Sequence, residues 1–253
     1  MRKVINRVGE RRIMNCGEEA EIVEYINYSD ITIKFLKTRE MVKSSYSNFK
    51  IGNIRSHFTP TRYGVGIVGD SNNIEKSSFI TWANMLRRCY RKDEFKARPT
   101  YKDCKVCDEW LYYPNFKEWY KENYYKVNNQ KMALDKDILN KGNKVYSPDT
   151  CVFVPQYINS LFVKSNSSRG NLPIGVYCDK NTKKYNIRTY KFNTTTKKSI
   201  PFVMCGFDVP EEAFNTYKKV KEENIKLVAD YYKDQIPKKL YDAMYKYEVE
   251  ITD

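Results

Sequence analysis

The sequence predicts an α+β protein with three parts: a small N-terminal β-barrel-like module, a central ββα core with flanking helices, and a C-terminal three-stranded sheet packed on one long helix. Three observations carry this. Short alternating apolar runs separated by polar turns occur near both ends of the chain. Between them, brief apolar segments are bracketed by Gly, Asn and Pro turn signals. Close to the C-terminus, a stripe at helical spacing runs for about seventeen residues, within a predicted helix over Val209 to Tyr232.

The first module occupies residues 1–70 with its linker. Glu21-Ile22-Val23-Glu24-Tyr25 and Ile31-Thr32-Ile33-Lys34-Phe35 read as strands joined by a turn at Asn27 to Asp30. A third strand is expected near Glu40 to Ser44, with Phe49 to Gly52 as its closing turn. Short strands with polar turns suggest an SH3-like barrel. Pro60, Gly64, Gly66 and Gly69 mark a linker.

The central module spans residues 71–166. Phe79 to Tyr90 predicts a helix with apolar Ile80, Ala83, Met85, Leu86 and Cys89, and a basic side at Arg87 and Arg88. Trp110 to Tyr125 predicts an aromatic-rich helix, and Tyr101 to Val106 a short extended piece. Met132 to Leu139, Thr150 to Val154 and the helical Pro155 to Phe162 then give a strand, loop, strand, helix order.

The last module spans residues 167–253. Strands are expected at Ile174 to Tyr177, at Lys184 to Arg188 and near Ser199 to Cys205. Val209 to Tyr232 predicts one amphipathic helix. Asp208 is placed to cap it, Pro210 fits its first turn, and Glu211 and Glu212 suit the positive end of its dipole. Ala213, Phe214, Tyr217, Val220, Ile225, Val228 and Ala229 form the stripe that faces the sheet.

Charge narrows the partners. Lys and Arg number 45 against 31 Asp and Glu, a net charge of +14 with a pI of about 9.3. Such an excess draws a chain to polyanions through counterion release, whatever its chemistry. Aromatics make up 15% of residues, too many for a disordered basic tail. The richness in Lys, Asn, Ile and Tyr suggests an AT-rich genome. No apolar run approaches membrane-spanning length, and Met1-Arg2-Lys3 begins no secretion signal, so no membrane partner is expected. Seven cysteines, an odd number, fit reduced thiols in a cytoplasm.

Residues of the central module carry a resemblance. Trp82-Ala83-Asn84-Met85-Leu86-Arg87-Arg88-Cys89-Tyr90, Val106-Cys107-Asp108-Glu109-Trp110, Leu134-Asp135-Lys136-Asp137-Ile138 and Tyr146-Ser147-Pro148-Asp149-Thr150-Cys151-Val152-Phe153 with Asn159 resemble phage and mobile-element proteins of the HNH endonuclease superfamily. The resemblance covers about eighty residues and implies a ββα nuclease core. It further implies a metal-dependent, homing-type DNA endonuclease or nickase, active in the host cytoplasm if phage-encoded. The single Mg²⁺ or Mn²⁺ would be held by Asp135, Asp149 and Asn159. Asp135, Lys136 and Asp137 stand where the family carries its catalytic residues. Lys136 occupies the place of the usual general-base His, and the only His in the chain is His57, outside this module. Two readings stay open: a metal site without a His base, or Asp and Asn residues capping turns in a degenerate, DNA-binding core. Cys104-Lys105-Val106-Cys107 has the spacing of half a zinc site, which Cys89 and Cys151 could complete; packing as core thiols is the alternative.

A second resemblance lies in the last module. Arg169-Gly170, Ile174-Gly175-Val176-Tyr177, Lys184-Tyr185-Asn186-Ile187-Arg188, Gly206-Phe207 and Glu211-Glu212-Ala213-Phe214 with Tyr217 resemble the Apetala-type DNA-binding domain of plant ethylene-response factors. That family lays a three-stranded sheet on double-stranded DNA. The resemblance implies contacts from Arg169, Lys183, Lys184, Tyr185, Arg188, Tyr190 and Lys191, while Arg87 and Arg88 of the central module are expected to grip phosphate in the nuclease reading.

Overall fold

The structure is a computed structural model, and it describes residues 6–70, 74–163, 170–251 and 253. It is a mixed α/β protein with several small sheets. The chain forms two compact units, Met1–Asn123 with Lys144–Pro148, and Tyr124–Asn143 with Asp149–Asp253. The division runs inside the central module of the sequence reading, which placed its boundaries after residues 70 and 166.

In the first unit, β1 (Arg11–Ile13), β2 (Glu19–Asn27), β3 (Asp30–Phe35) and β4 (Met41–Ser44) form an antiparallel meander in that order. Alternation does the folding: Ala20, Ile22, Ile31, Ile33 and Phe35 point to one side and are buried with Met14. A short helix α1 (Tyr46–Lys50) precedes the expected closing turn, which falls at Ile51 and Gly52. Ser45 caps the helix by accepting the Asn48 N–H, and Tyr46 and Phe49 complete the core. Gly64 and Gly66 belong to a two-stranded ribbon, β5 (Pro60–Arg62) and β6 (Gly66–Ile67), with Gly64 in its turn.

The rest of this unit is aromatic. Helix α2 (Lys76–Tyr90) buries Trp82, Met85, Leu86 and Cys89. Gly66 sits so close to it that a Cβ would collide with Leu86 and press on Trp82. The single helix expected over 110–125 is two, α4 (Asp108–Leu111) and α5 (Tyr113–Asn123), after a short α3 (Glu94–Ala97). The backbone turns extended at Tyr112, and Pro114 then occupies the first turn of α5, where a missing N–H costs nothing. Trp82 Nε1 donates to the Trp110 carbonyl at 2.7 Å, a group the break releases from helical bonding. Of the piece expected to be extended at 101–106, only β7 (Lys105–Val106) is strand, and it pairs in parallel with β9 (Val145–Tyr146).

The second unit is organised by one helix. β8 (Met132–Asp135) and β10 (Val152–Pro155) pair antiparallel, with Asp135 opposite Val152, and α6 (Gln156–Leu161) follows directly. β11 (Val176–Cys178), β12 (Tyr185–Asn193) and β13 (Lys198–Phe207) form an antiparallel sheet with β12 in the middle. Helix α7 (Pro210–Tyr232) serves both. Its first half packs Ala213, Phe214 and Tyr217 against Val176 and Ile187 of the sheet. Its second half packs Ile225, Val228, Ala229 and Tyr232 against Val152, Val154, Ile158 and Leu161 of the β8–β10–α6 unit. The helical stripe therefore covers two layers, where the sequence reading assigned it to one. Helix α8 (Lys238–Tyr245), not anticipated, adds Leu240 and Met244 to the second core. Asp208 does not cap α7: the N-cap is Val209, without a side-chain bond, and Asp208 pairs with Lys184.

Candidate nucleic-acid interface and carboxylate loop

The three-stranded sheet has a helix side and an outer side, and strand alternation decides which residue goes where. Val176 and Ile187, directly paired, lie in the core beneath α7. Their neighbours in sequence, Tyr177 and Arg188, are therefore turned outward, and both are exposed. Tyr190 follows Arg188 by two and is exposed as well. On β13, Val203 stands opposite Arg188 and Pro201 opposite Tyr190, both also exposed. The outer face thus carries Tyr177, Arg188, Tyr190 and Val203 in one patch.

Both hairpin turns that bound the sheet are basic. In the β11–β12 turn, the Asp179 carboxylate accepts the N–H groups of Asn181 and Thr182, and these bonds hold its pKa below the ordinary value. Lys183 adopts φ 57° there and projects as an exposed cation. In the β12–β13 turn, Asn193 accepts from Thr195 and Thr196, and Lys197 takes φ 56° with exposed Lys198 beside it.

The remaining contact candidates of the sheet lie elsewhere. Lys184 is engaged with Asp208. Tyr185 is half-buried and packs against the core under α7. Lys191 points to the helix side, its Nζ 4.3 Å from the centre of the Phe202 ring. Arg169 lies outside the described residues. Tyr177 and Val203 are not among the contacts the sequence implies; the alternation with Val176 and the pairing with Arg188 single them out.

Arg87 and Arg88 do not form a free basic face on α2. Arg87 pairs with Glu94 at 3.4 Å. Arg88 is half-buried, bonds the Tyr146 hydroxyl and stacks 5.7 Å from the Tyr101 ring centre. Neighbouring phenolic oxygens raise its pKa despite burial, so it stays charged inside the first unit.

The acidic candidates sit around the end of β8. One oxygen of Asp135 accepts the backbone N–H groups of Asp137 and Ile138 at 2.9 and 2.8 Å, an Asx-type turn. Burial, then repulsion from Asp137, raises its pKa against the effect of those two bonds. Lys136 is buried, donates to the Asn143 carbonyl at 2.9 Å and pairs with Asp137 at 3.3 Å. Asn143 returns a bond to the Lys136 carbonyl at 2.7 Å, which closes the loop on itself. Asp149 is exposed and Asn159 half-buried on α6. Among the described residues, no group of three or more His, Cys, Asp or Glu is placed to hold a metal. This covers the four cysteines of the zinc expectation: Cys89, Cys104 and Cys151 are buried, and Cys107 is half-buried.

Comparison with known proteins gives no match to any family model, curated protein or solved structure. Among the described residues no helix is long and apolar enough to cross a membrane.

Proposed function

We propose that this chain is a DNA-binding protein whose contact surface is the outer face of the β11–β12–β13 sheet, and that the β8–β10–α6 unit serves as its packing frame. The observation that carries the reading is the pairing of an exposed Arg188–Tyr190 patch with lysine-bearing turns at both ends of the same strands. On a chain of net charge +14, these turns supply backbone phosphate contacts, and the patch between them reaches bases.

A cutting role for the ββα unit is the less supported alternative. A Mg²⁺ or Mn²⁺ site needs carboxylate oxygens free to coordinate, whereas an oxygen of Asp135 already serves two backbone donors and Asp137 faces the Lys136 ammonium. Lys136 itself is tied to the Asn143 carbonyl and to Asp137. These contacts at Asp135 and Asp137 favour the DNA-binding reading over a metal site there.

The test is salt-titrated fluorescence anisotropy on labelled DNA with wild type and Arg188→Ala, alongside plasmid incubation with Mg²⁺ or Mn²⁺. Binding that weakens with salt, and weakens further in Arg188→Ala, supports the reading. Absence of binding at low salt overturns it. Metal-dependent nicking abolished by Asp135→Ala would return the ββα unit to a catalytic role.

A further inference from the structure

We propose that the outer face of the sheet takes unpaired DNA, stacking its bases on Tyr177 and Tyr190; this rests on the DNA-binding reading above and specifies the form of the polymer. Outward side chains on one strand recur every second residue, about 6.6 Å apart. Arg188 and Tyr190 are such neighbours on β12. Tyr177 continues the row, because its pairing partner Asn186 lies two residues before Arg188.

The row offers a π face, a guanidinium plane and a second π face in sequence. Each can receive the flat side of a base. A duplex offers no such side: its bases are stacked at about 3.4 Å along each strand and show only their edges in the grooves. The spacing of the row is about twice that rise, so a chain must leave its stack and extend to match it.

The chemistry around the row agrees. Tyr177, Tyr190 and Val203 are 40, 48 and 48% exposed, so the centre of the face is apolar apart from Arg188. Direct readout of a duplex groove relies on several hydrogen-bonding side chains, and here only one cation projects from the centre. The lysines sit instead at the two turns, separated by the length of β12, nine residues or about 30 Å. Apolar stacking surface beside the lysine-bearing β11–β12 turn suits a single strand laid along the Tyr177–Arg188–Tyr190 row, with its phosphates gripped at that turn; beyond Tyr190 the face is closed, because Phe192 is buried against Tyr157 and Ser199 bonds the Tyr157 hydroxyl.

The test is anisotropy with the full chain on labelled oligothymidine of about 12 nucleotides, within the range of single-strand site sizes. A hairpin duplex and an oligouridine of the same length are the comparison probes. Oligothymidine should bind more tightly than either. Tyr177→Ala and Tyr190→Ala should each weaken that binding roughly 5- to 150-fold, the effect of losing one stacked base. Tyr177→Phe and Tyr190→Phe keep the ring and should retain it. Both tyrosines point to solvent, and an unchanged circular dichroism spectrum verifies that the variants are folded. Equal or tighter binding of the duplex, or alanine variants that bind oligothymidine like wild type, overturns the inference and leaves DNA binding standing. Tighter binding of oligouridine overturns the choice of DNA. Failure to bind any of the three probes overturns this inference together with the functional reading beneath it.

Discussion

Asn224, buried in the middle of α7, accepts the backbone N–H of Phe192 on β12 at 2.6 Å. β11 pairs only with residues 185–187, so the far half of β12 has an open edge, and the helix satisfies one of its donors with a side chain. Replacing Asn224 with Ala leaves that N–H buried and unpaired. The expected loss is about 1–3 kcal/mol of unfolding free energy, measured by urea denaturation.

Gly175 precedes β11 at φ +75°, and a Cβ there would lie inside the Tyr217 ring. Gly175→Ala meets two penalties, a left-handed backbone and a forced shift of a buried aromatic. Together they should cost about 2–5 kcal/mol, read as a lowered denaturation midpoint. A variant as stable as wild type would contradict the close approach of β11 and α7.

Arg88 and Arg188 should separate cleanly. Arg88→Ala removes a half-buried guanidinium that bonds Tyr146 and lies beside the Tyr101 ring, and is expected to cost about 1–3 kcal/mol of stability. Its DNA affinity should be unchanged. Arg188→Ala is expected to alter stability by less than about 0.5 kcal/mol while weakening DNA binding. Paired thermal melts and anisotropy titrations decide it.

Lys221 on α7 has its pKa lowered to about 8 by burial alone. Below that value the folded protein must hold a desolvated ammonium, while the unfolded chain keeps its lysine charged up to about 10.4. The unfolded state binds more protons between those limits, so stability rises with pH across them. Lys221→Met should exceed wild type in stability at pH 7, and the gap should narrow between pH 8 and 10. Denaturation series at each pH measure this; a constant gap would refute it.

Asp135 titrates in the opposite sense. Its pKa is raised in the folded state, so the folded protein holds its proton more tightly, and stability is lost as pH rises from the unfolded carboxylate value near 3.9. Asparagine keeps the oxygen that accepts from Asp137 and Ile138. Asp135→Asn should therefore gain on wild type as pH is raised from 4 to 7, with the difference followed by urea midpoints.

Much of this architecture was legible in single residues. Ile22, Ile31 and Ile33 alternate as half-buried strands must, and the stripe from Ala213 to Ala229 has the period of a helix. The short strands 132–135 and 152–155 followed by a helix could be placed from their turn signals alone. Less legible were the break at Tyr112 and the helix at Tyr46, where a local cap or a released carbonyl outweighs the apolar pattern. The candidate site was half legible. Arg188 and Tyr190 are outward as their spacing suggests, but Lys184, Lys191 and Arg88 each found a partner within the fold.

Composition and periodicity by themselves determined that this is a basic α+β protein with two separate stretches of alternating strands and one long amphipathic helix. Those properties depend on residue type and on neighbours a few positions away. Only the tertiary structure decided that α7 joins the three-stranded sheet to the β8–β10–α6 unit, and which lysines and arginines remain at the surface. Charge is a property of the sequence, but its availability depends on whether an Asp208, a Phe202 or a Tyr146 is folded against it, and that is set by contacts between residues far apart in the chain.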